Sequence, residues 1–249
     1  MTLRQSVSML TSFLLWAGLS IPGVLADTIA VIGTGQVGQA LGPQFAAQGH
    51  LVIYGSREPD RKELATLVAR TGKDARVMLP ADAAARSNIV VLAVPGLMVE
   101  KIVMGLGSLA GKIIIDPTNP LRQDSEGRFE LATESSNAEL IQVLQPDAHV
   151  VKAFNTLNWR TMIDPASSGG PVTIPLVGNS EEAKQVVAKL VSGMGLEPID
   201  VGPVKQARYV EGMLILWINN RFVNGQPFDY YLRKVQGNRA QTAMLVASS

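Results

Sequence analysis

Residues 28–57 constrain what this chain can fold into more than any other stretch. Ile29-Ala30-Val31-Ile32 is a short apolar run with no polar interruption, the pattern of a parallel strand buried on both faces. It leads straight into Gly33-Thr34-Gly35-Gln36-Val37-Gly38. A helix pattern follows, with apolar positions at Val37, Ala40, Leu41 and Phe45, and then a second apolar run, Leu51-Val52-Ile53-Tyr54. Strand, glycine-rich turn, helix and strand in this order predict a βαβ unit with a right-handed crossover.

Each glycine of the turn answers a physical need. Gly33 permits the tight bend, Gly35 keeps side-chain atoms away from an approaching pyrophosphate, and Gly38 lets the helix lie close to the strand. The N–H groups at the helix start then face the phosphates, and the helix dipole favours their charge. Alone, a G-x-G-x-x-G is weak evidence. With a strand before it and a helix and strand after it, a dinucleotide site over Gly33, Thr34, Gly35, Gln36, Val37 and Gly38 is expected rather than a merely structural turn.

The end of the second strand selects the dinucleotide. An NAD site usually carries Asp or Glu about 20 residues after the first glycine, holding the ribose 2′-hydroxyl. Here Gly55 is followed by Ser56 and Arg57, with Arg61 one helical turn further on. A carboxylate would repel a 2′-phosphate, whereas a hydroxyl and guanidinium groups attract it. NADP(H) is the expected cofactor; the competing reading makes Arg57 a solvated surface charge.

Further along, apolar runs alternate with helical patterns. Strands are expected near 76–79, 88–94, 112–116, 148–154, 173–178 and 196–201, with helices at 60–70, 80–86, 96–106, 134–145, 180–191 and 204–222. Alternation of this kind gives an α/β, Rossmann-type doubly wound and mostly parallel sheet, here with a small C-terminal helical element. Ligands of such sheets sit at the carboxyl ends of the strands, so 94–95, 116–120 and 155–158 join the glycine turn and 56–57 as site segments.

Several local readings are testable. Residues 117–129 and 156–170 are expected to be long loops, and Pro175 to mark an edge or irregular strand. Pro43, after Gly42, should kink the first helix. Lys152 reads as a strand residue snorkelling to solvent in preference to a catalytic group. For Asp116 to Asn119, a polar rim beside the nicotinamide and a proline-bounded turn are both open. The apolar 204–222 helix is expected in the core or on a dimer face.

Composition narrows the chemistry. Among 249 residues there is no cysteine, which excludes disulfides and thiol nucleophiles, and the two histidines make a histidine-built metal site unlooked for. A net charge of +1 gives no electrostatic reason for a nucleic-acid partner. Arg4 is the only charged residue before Asp27, residues 9–19 are apolar, Pro22-Gly23 breaks the run, and Val24-Leu25-Ala26 suits a signal peptidase. A signal peptide over 1–26, a dinucleotide-binding domain over 27–222 and an extension over 223–249 are expected. Export to the periplasm or outside follows, with an uncleaved membrane anchor as the alternative.

Taken together, Ile32 to Gly38, Gly55-Ser56-Arg57, Val94-Pro95, Val151 to Thr156, and Gly202-Pro203 with Arg208 and Glu211 resemble the NADPH-dependent oxidoreductases of the deazaflavin coenzyme F420. The same domain forms the cytosolic reductase part of the six-transmembrane ferric reductases, and Lys152-Ala153-Phe154-Asn155-Thr156 is nearer to that branch. The resemblance covers about residues 28–221. It implies hydride transfer between NADPH and a flavin or deazaflavin, the two rings stacked between the sheet and a C-terminal element. By position, Gly33 to Val37 would hold the pyrophosphate and Ser56, Arg57 and Arg61 the 2′-phosphate. Val94 and Pro95 would line the nicotinamide, with Ala153 and Asn155 beside the reacting ring. Asn155 and Met98 stand where the deazaflavin reductases often carry histidine.

Two other readings stay open. β-Hydroxyacid dehydrogenases and imine reductases add a large helical dimerisation domain, for which only about 45 residues remain after the last expected strand. A non-catalytic dinucleotide-binding or interaction domain is the alternative from another class.

Overall fold

The computed structural model describes residues 26–72 and 74–235. The expected signal segment lies outside the described residues except for Ala26, as does 236–249 of the extension. The chain builds β1 (Thr28–Ile32), α1 (Gln36–Ala47), β2 (Leu51–Gly55), α2 (Glu63–Thr71), β3 (Arg76–Met78), α3 (Pro80–Ala85), β4 (Ile89–Leu92), α4 (Val99–Met104) and β5 (Ile113–Asp116). There follow β6 (Leu121–Gln123), β7 (Phe129–Leu131), α5 (Asn137–Leu144), β8 (His149–Lys152), α6 (Trp159–Ile163), β9 (Thr173–Gly178), α7 (Glu181–Gly193), β10 (Glu197–Asp200) and α8 (Ala207–Ile218).

Eight strands form one sheet in the order β10-β9-β8-β5-β4-β1-β2-β3. All pairs from β3 to β8 are parallel; β9 alone is antiparallel to its neighbour β8, and β10 is parallel to β9. Chain direction reverses about β1, which lies between β2 and β4, and ligands of open α/β sheets bind at such a switch point. β1 shows why its run carries no polar residue. Ile29 and Val31 enter one core with Leu41, Phe45 and Tyr54, while Ala30 and Ile32 enter the other with Val99, Val103 and Leu109.

Pro175 does not mark an edge. β9 lies between β8 and β10, and Pro175 pairs with Ile199. The Thr173 N–H points away from β10, donating to the Leu232 carbonyl at 2.8 Å. Alternation puts the Pro175 nitrogen on that same side, where pairing with β8 begins only at Val177. The missing donor therefore leaves no ladder position unfilled.

The 117–129 loop carries a hairpin. β6 and β7 pair antiparallel across a turn in which the Asp124 carboxylate accepts from the N–H groups of Glu126 and Arg128, both at 2.8 Å. Likewise 156–170 holds α6 and a short 3-10 turn, Pro165–Ser168. The helix expected over 204–222 is a 3-10 turn, then α8, then a π turn at Asn219–Val223. Only Ala207, Val210 and Glu211 of α8 are buried, so the later part of this apolar helix is not core.

Candidate active site

At the carboxyl end of β1 the cradle is made of backbone. Gly33 has φ +105, a conformation that favours glycine, and a Cβ there would overlap the Ala93 carbonyl. A Cβ on Gly38 would overlap the Gly33 carbonyl, so α1 starts against the turn itself. At Gly35 a Cβ would meet nothing within 4 Å. The second glycine thus opens onto space, as approach by a pyrophosphate requires. Gly35 is the extended N-cap of α1, which has no side-chain cap and no acid in its first turn. The N–H groups of the first turn are left for a ligand. An uncapped helix start beside open space is the arrangement a dinucleotide phosphate requires.

One of the basic residues reaches the same turn. Arg61 donates from Nη2 to Thr34 Oγ1 at 3.2 Å, reaching from the end of β2 to the glycine turn, and its Nε lies 3.6 Å from Glu63. Arg57 is exposed and makes no side-chain hydrogen bond or ion pair among the described residues. The buried Ser56 hydroxyl is turned inward on a local loop, donating to the Glu58 carbonyl at 3.1 Å and accepting from the Glu58 N–H at 3.2 Å. It closes the turn that presents Arg57. Val94 lies beside Gly33, half-buried, and Pro95 is exposed next to it.

Beyond β4 the cleft wall changes character. Gly96 packs so tightly on Asn119 that any Cβ would overlap its carbonyl. Asn155 donates from Nδ2 to Asn119 Oδ1 and to the Val210 carbonyl, both at 3.0 Å, and Asn119 donates back to the Asn155 carbonyl at 3.3 Å. Phe154, between buried Ala153 and Asn155, has φ +66, a left-handed conformation that costs a non-glycine residue about 1–3 kcal/mol. Asn155 Oδ1 and Thr156 Oγ1 are buried and have no hydrogen-bond partner among the described residues. Ala153 is fully buried in the core, so its side chain does not line the cleft.

Behind this rim lies a feature that sequence reasoning misplaced. Lys152 does not reach solvent; it is fully buried, as are Asp116 and Glu211. Its Nζ donates to Asp116 Oδ2 at 2.8 Å, to Glu211 Oε1 at 2.5 Å and to the Thr118 carbonyl. Asp116 Oδ1 accepts from the Thr118 hydroxyl at 2.6 Å and its N–H at 2.9 Å. Glu211 accepts from the Asn137 N–H at 3.0 Å, and Asn137 donates from Nδ2 to Thr118 Oγ1 at 2.7 Å and to the Gly96 carbonyl at 3.0 Å. Asp116 and Thr118 therefore form neither a plain turn nor an open polar surface; they are part of a buried network. Burial raises the Glu211 carboxyl from 4.5 to about 7, Lys152 opposing that rise and Asp116 adding to it. Arg208, one turn before Glu211, pairs with Glu139 at 2.6 Å.

The described part of the extension packs against this end. Asp229 accepts from Trp217 Nε1 at 2.9 Å, and the Tyr230 hydroxyl donates to the Met213 carbonyl at 2.6 Å. A small cavity of about 30 Å³ lies between Thr156, Trp217 and Tyr230. A larger cleft of about 410 Å³, lined by Lys184, Asp200 and Pro203, sits at the carboxyl ends of β9 and β10. Those strands are reversed relative to β8, so it opens away from the cradle.

Residues 28–120 match the family model for NADP oxidoreductase, coenzyme F420-dependent. The rat metalloreductase STEAP3 is 30% identical over 189 residues, which are 76% of this chain and 36% of that protein. The chain thus spans about a third of the length of the metalloreductases it matches. The F420-dependent NADP reductase of Methanothermobacter thermautotrophicus is 30% identical over 210 residues, 79% of this chain and 90% of that protein. A crystal structure of a candidate F420-dependent NADP reductase from Arthrobacter sp. FB24 superposes with a TM-score of 0.75 at 33% identity, covering 84% of this chain and all of that one. An imine reductase from Pseudomonas sp. shares the fold at 17% identity and a TM-score of 0.59. Kinship over nearly the whole of a reductase puts this chain in the family of coenzyme F420-type NADP oxidoreductases.

Proposed function

We propose that the chain transfers hydride between NADP(H) and a flavin or deazaflavin whose ring stacks on the nicotinamide between the Asn119–Asn155 rim and α8. The observation that carries this reading is the open phosphate cradle: α1 starts without a side-chain cap or first-turn acid, a Cβ on Gly35 would meet nothing within 4 Å, and Arg61 reaches Thr34 of the same turn.

The cofactor supplies the hydride; the protein supplies alignment and dryness, which such a transfer needs more than acid–base chemistry. Thr34 to Gly38 offer N–H groups to the pyrophosphate, while Gly33, whose own N–H donates to the Gly55 carbonyl at 3.0 Å, makes the bend. Arg57 and Arg61 take the 2′-phosphate, with Ser56 fixing the turn beneath Arg57. Val94 and Pro95 back the nicotinamide, and Asn155 orients it. The F420-dependent relatives and the shared NADP fold support this division of labour. The test is binding of NADPH against NADH, followed by hydride transfer from NADPH to flavin mononucleotide, flavin adenine dinucleotide and 8-hydroxy-5-deazariboflavin. Tight NADPH binding with turnover on one of these supports the proposal; equal binding of NADPH and NADH would sink it.

One observation favours a second reading, a dinucleotide-binding domain without turnover. The space between Thr156, Trp217 and Tyr230 has a volume of about 30 Å³, enough for one water but not for a ring. Tight binding with no turnover on any acceptor would support it. The remaining expectations belong to the same proposal: residues 1–26 act as a cleaved signal peptide, with a retained membrane anchor as the alternative. Residues 27–222 carry the chemistry, and the exposed face of α8, with Leu216 and Tyr209, is a homodimer surface.

A further inference from the structure

Three ionisable groups buried together behind a redox site call for an explanation. A well-packed apolar set of similar volume is often at least as stable as a buried ion cluster, so stability alone does not account for Lys152, Asp116 and Glu211. Their charges do not cancel. With both carboxylates ionised the cluster carries one net negative charge; with Glu211 protonated it carries none.

Glu211 faces Lys152 from β8, Asp116 from β5 and the Asn137 N–H from α5. On its own helix and α5 the Arg208–Glu139 pair is internally neutral, and β7, packed on α8, brings only Glu130, which is paired with Arg122. The cluster reaches the rim by two short paths. Thr118 adjoins Asn119, and the residue before Glu211, Val210, accepts from Asn155 through its carbonyl.

We propose that Glu211 is a positioning residue that also sets charge: with Lys152 and Asp116 it gives the rim a negative charge that favours the oxidised, positively charged nicotinamide over the neutral reduced ring. This rests on the preceding reading that the nicotinamide seats at the rim. Release of the Glu211 proton then strengthens binding of NADP+ relative to NADPH, so the buried carboxyl biases the chain toward hydride donation as the pH rises. At an effective dielectric near 20, unit charges about 10 Å apart attract by roughly a tenfold change in affinity.

The experiment is calorimetric or fluorescence titration of the full chain with NADP+ and with NADPH at pH 6 and pH 8, without any acceptor. Both nucleotides carry the same 2′-phosphate, so its own titration cancels in the ratio of dissociation constants. Because a carboxyl titrating near 7 is already partly ionised at pH 6, that ratio in the wild type should move about fivefold toward NADP+ between the two pH values. Glu211→Gln, which keeps the shape and removes the charge, should hold a ratio independent of pH. A flat wild-type ratio overturns the proposal whether or not the variant folds, and so does a variant whose slope equals the wild type's. Failure of the protein to bind either nucleotide would overturn this inference together with the proposed function. Normal NADPH binding with a flat ratio would overturn this inference alone.

Discussion

At the glycine turn the cleft is made of backbone: an uncapped helix start, a second glycine open to space, and guanidinium groups standing in solvent. At the end of β5 and β8 it is made of side chains, with two amides locked together and a buried lysine and two buried carboxylates behind them. The first end spends almost no polar group on the fold. The second commits its polar groups to one another across β5, β8, α5 and α8. Substitutions at the cradle should therefore change affinity and leave stability alone, whereas those behind the rim should change stability first.

Lys152→Met tests this most severely. It leaves Asp116 and Glu211 buried and facing each other without their cation. Removing one member of a buried ion cluster costs about 3–5 kcal/mol, to be read from denaturant unfolding. A loss below about 1 kcal/mol would mean that the rim is not held by these charges and would erase the contrast.

Glu211→Gln separates charge from packing. The folded-state pKa of Glu211 is raised, so the folded protein holds this proton more tightly than the unfolded chain. Its contribution is fully present below about 4.5 and is lost as pH climbs through about 7. The span corresponds to on the order of 3 kcal/mol. The variant should gain on the wild type by that order between pH 4.5 and 8, measured by unfolding at each pH. Parallel stability curves would show that Glu211 does not titrate in this range.

Arg57→Ala sharpens the other side. Loss of a charge-assisted hydrogen bond costs about 1.5–3 kcal/mol, so NADPH should bind about tenfold to a hundredfold more weakly, with NADH affinity and unfolding unchanged. Equal loss for both nucleotides would mean that Arg57 does not read the 2′-phosphate.

How legible each end was follows from the same difference. The cradle is local: strand, turn, helix and basic residues lie within 34 residues, from Thr28 to Arg61, and β2, β4, β5 and α7 also fell where periodicity placed them. Ser180 caps α7, its hydroxyl accepting from the Ala183 N–H at 3.2 Å. The rim is not local. The burial of Lys152 depends on partners 36 and 59 residues away, and a long cation on a short strand reads by default as surface. The β6–β7 hairpin escaped notice because three-residue, partly exposed strands show no alternation; Asp124 and Gly127 in its turn were the available signal. Nothing local announces the left-handed Phe154, whose conformation is imposed by what surrounds it.

Gly42-Pro43 lies between these cases, and it yields the smallest prediction. Helix α1 continues through Pro43. Gly42 is required there by space, since any Cβ would overlap the Tyr54 ring and hydroxyl, which bonds to Thr71 Oγ1 at 2.7 Å. Pro43 has no N–H, so the Gln39 carbonyl four residues earlier loses its helical donor. Arg70, from the last turn of α2, replaces it, donating from Nη2 to the Gln39 carbonyl at 3.0 Å. The proline is thus met by a side chain from the neighbouring helix, tying α2 to the cradle helix through an exposed bond. Arg70→Ala should cost about 1 kcal/mol, since water can reach the carbonyl in its place, and it should leave the NADPH preference intact. Pairing it with Pro43→Ala, which restores the N–H, should remove the penalty. If Arg70→Ala costs the same in both backgrounds, Arg70 acts on α2 alone and the cradle helix owes it nothing.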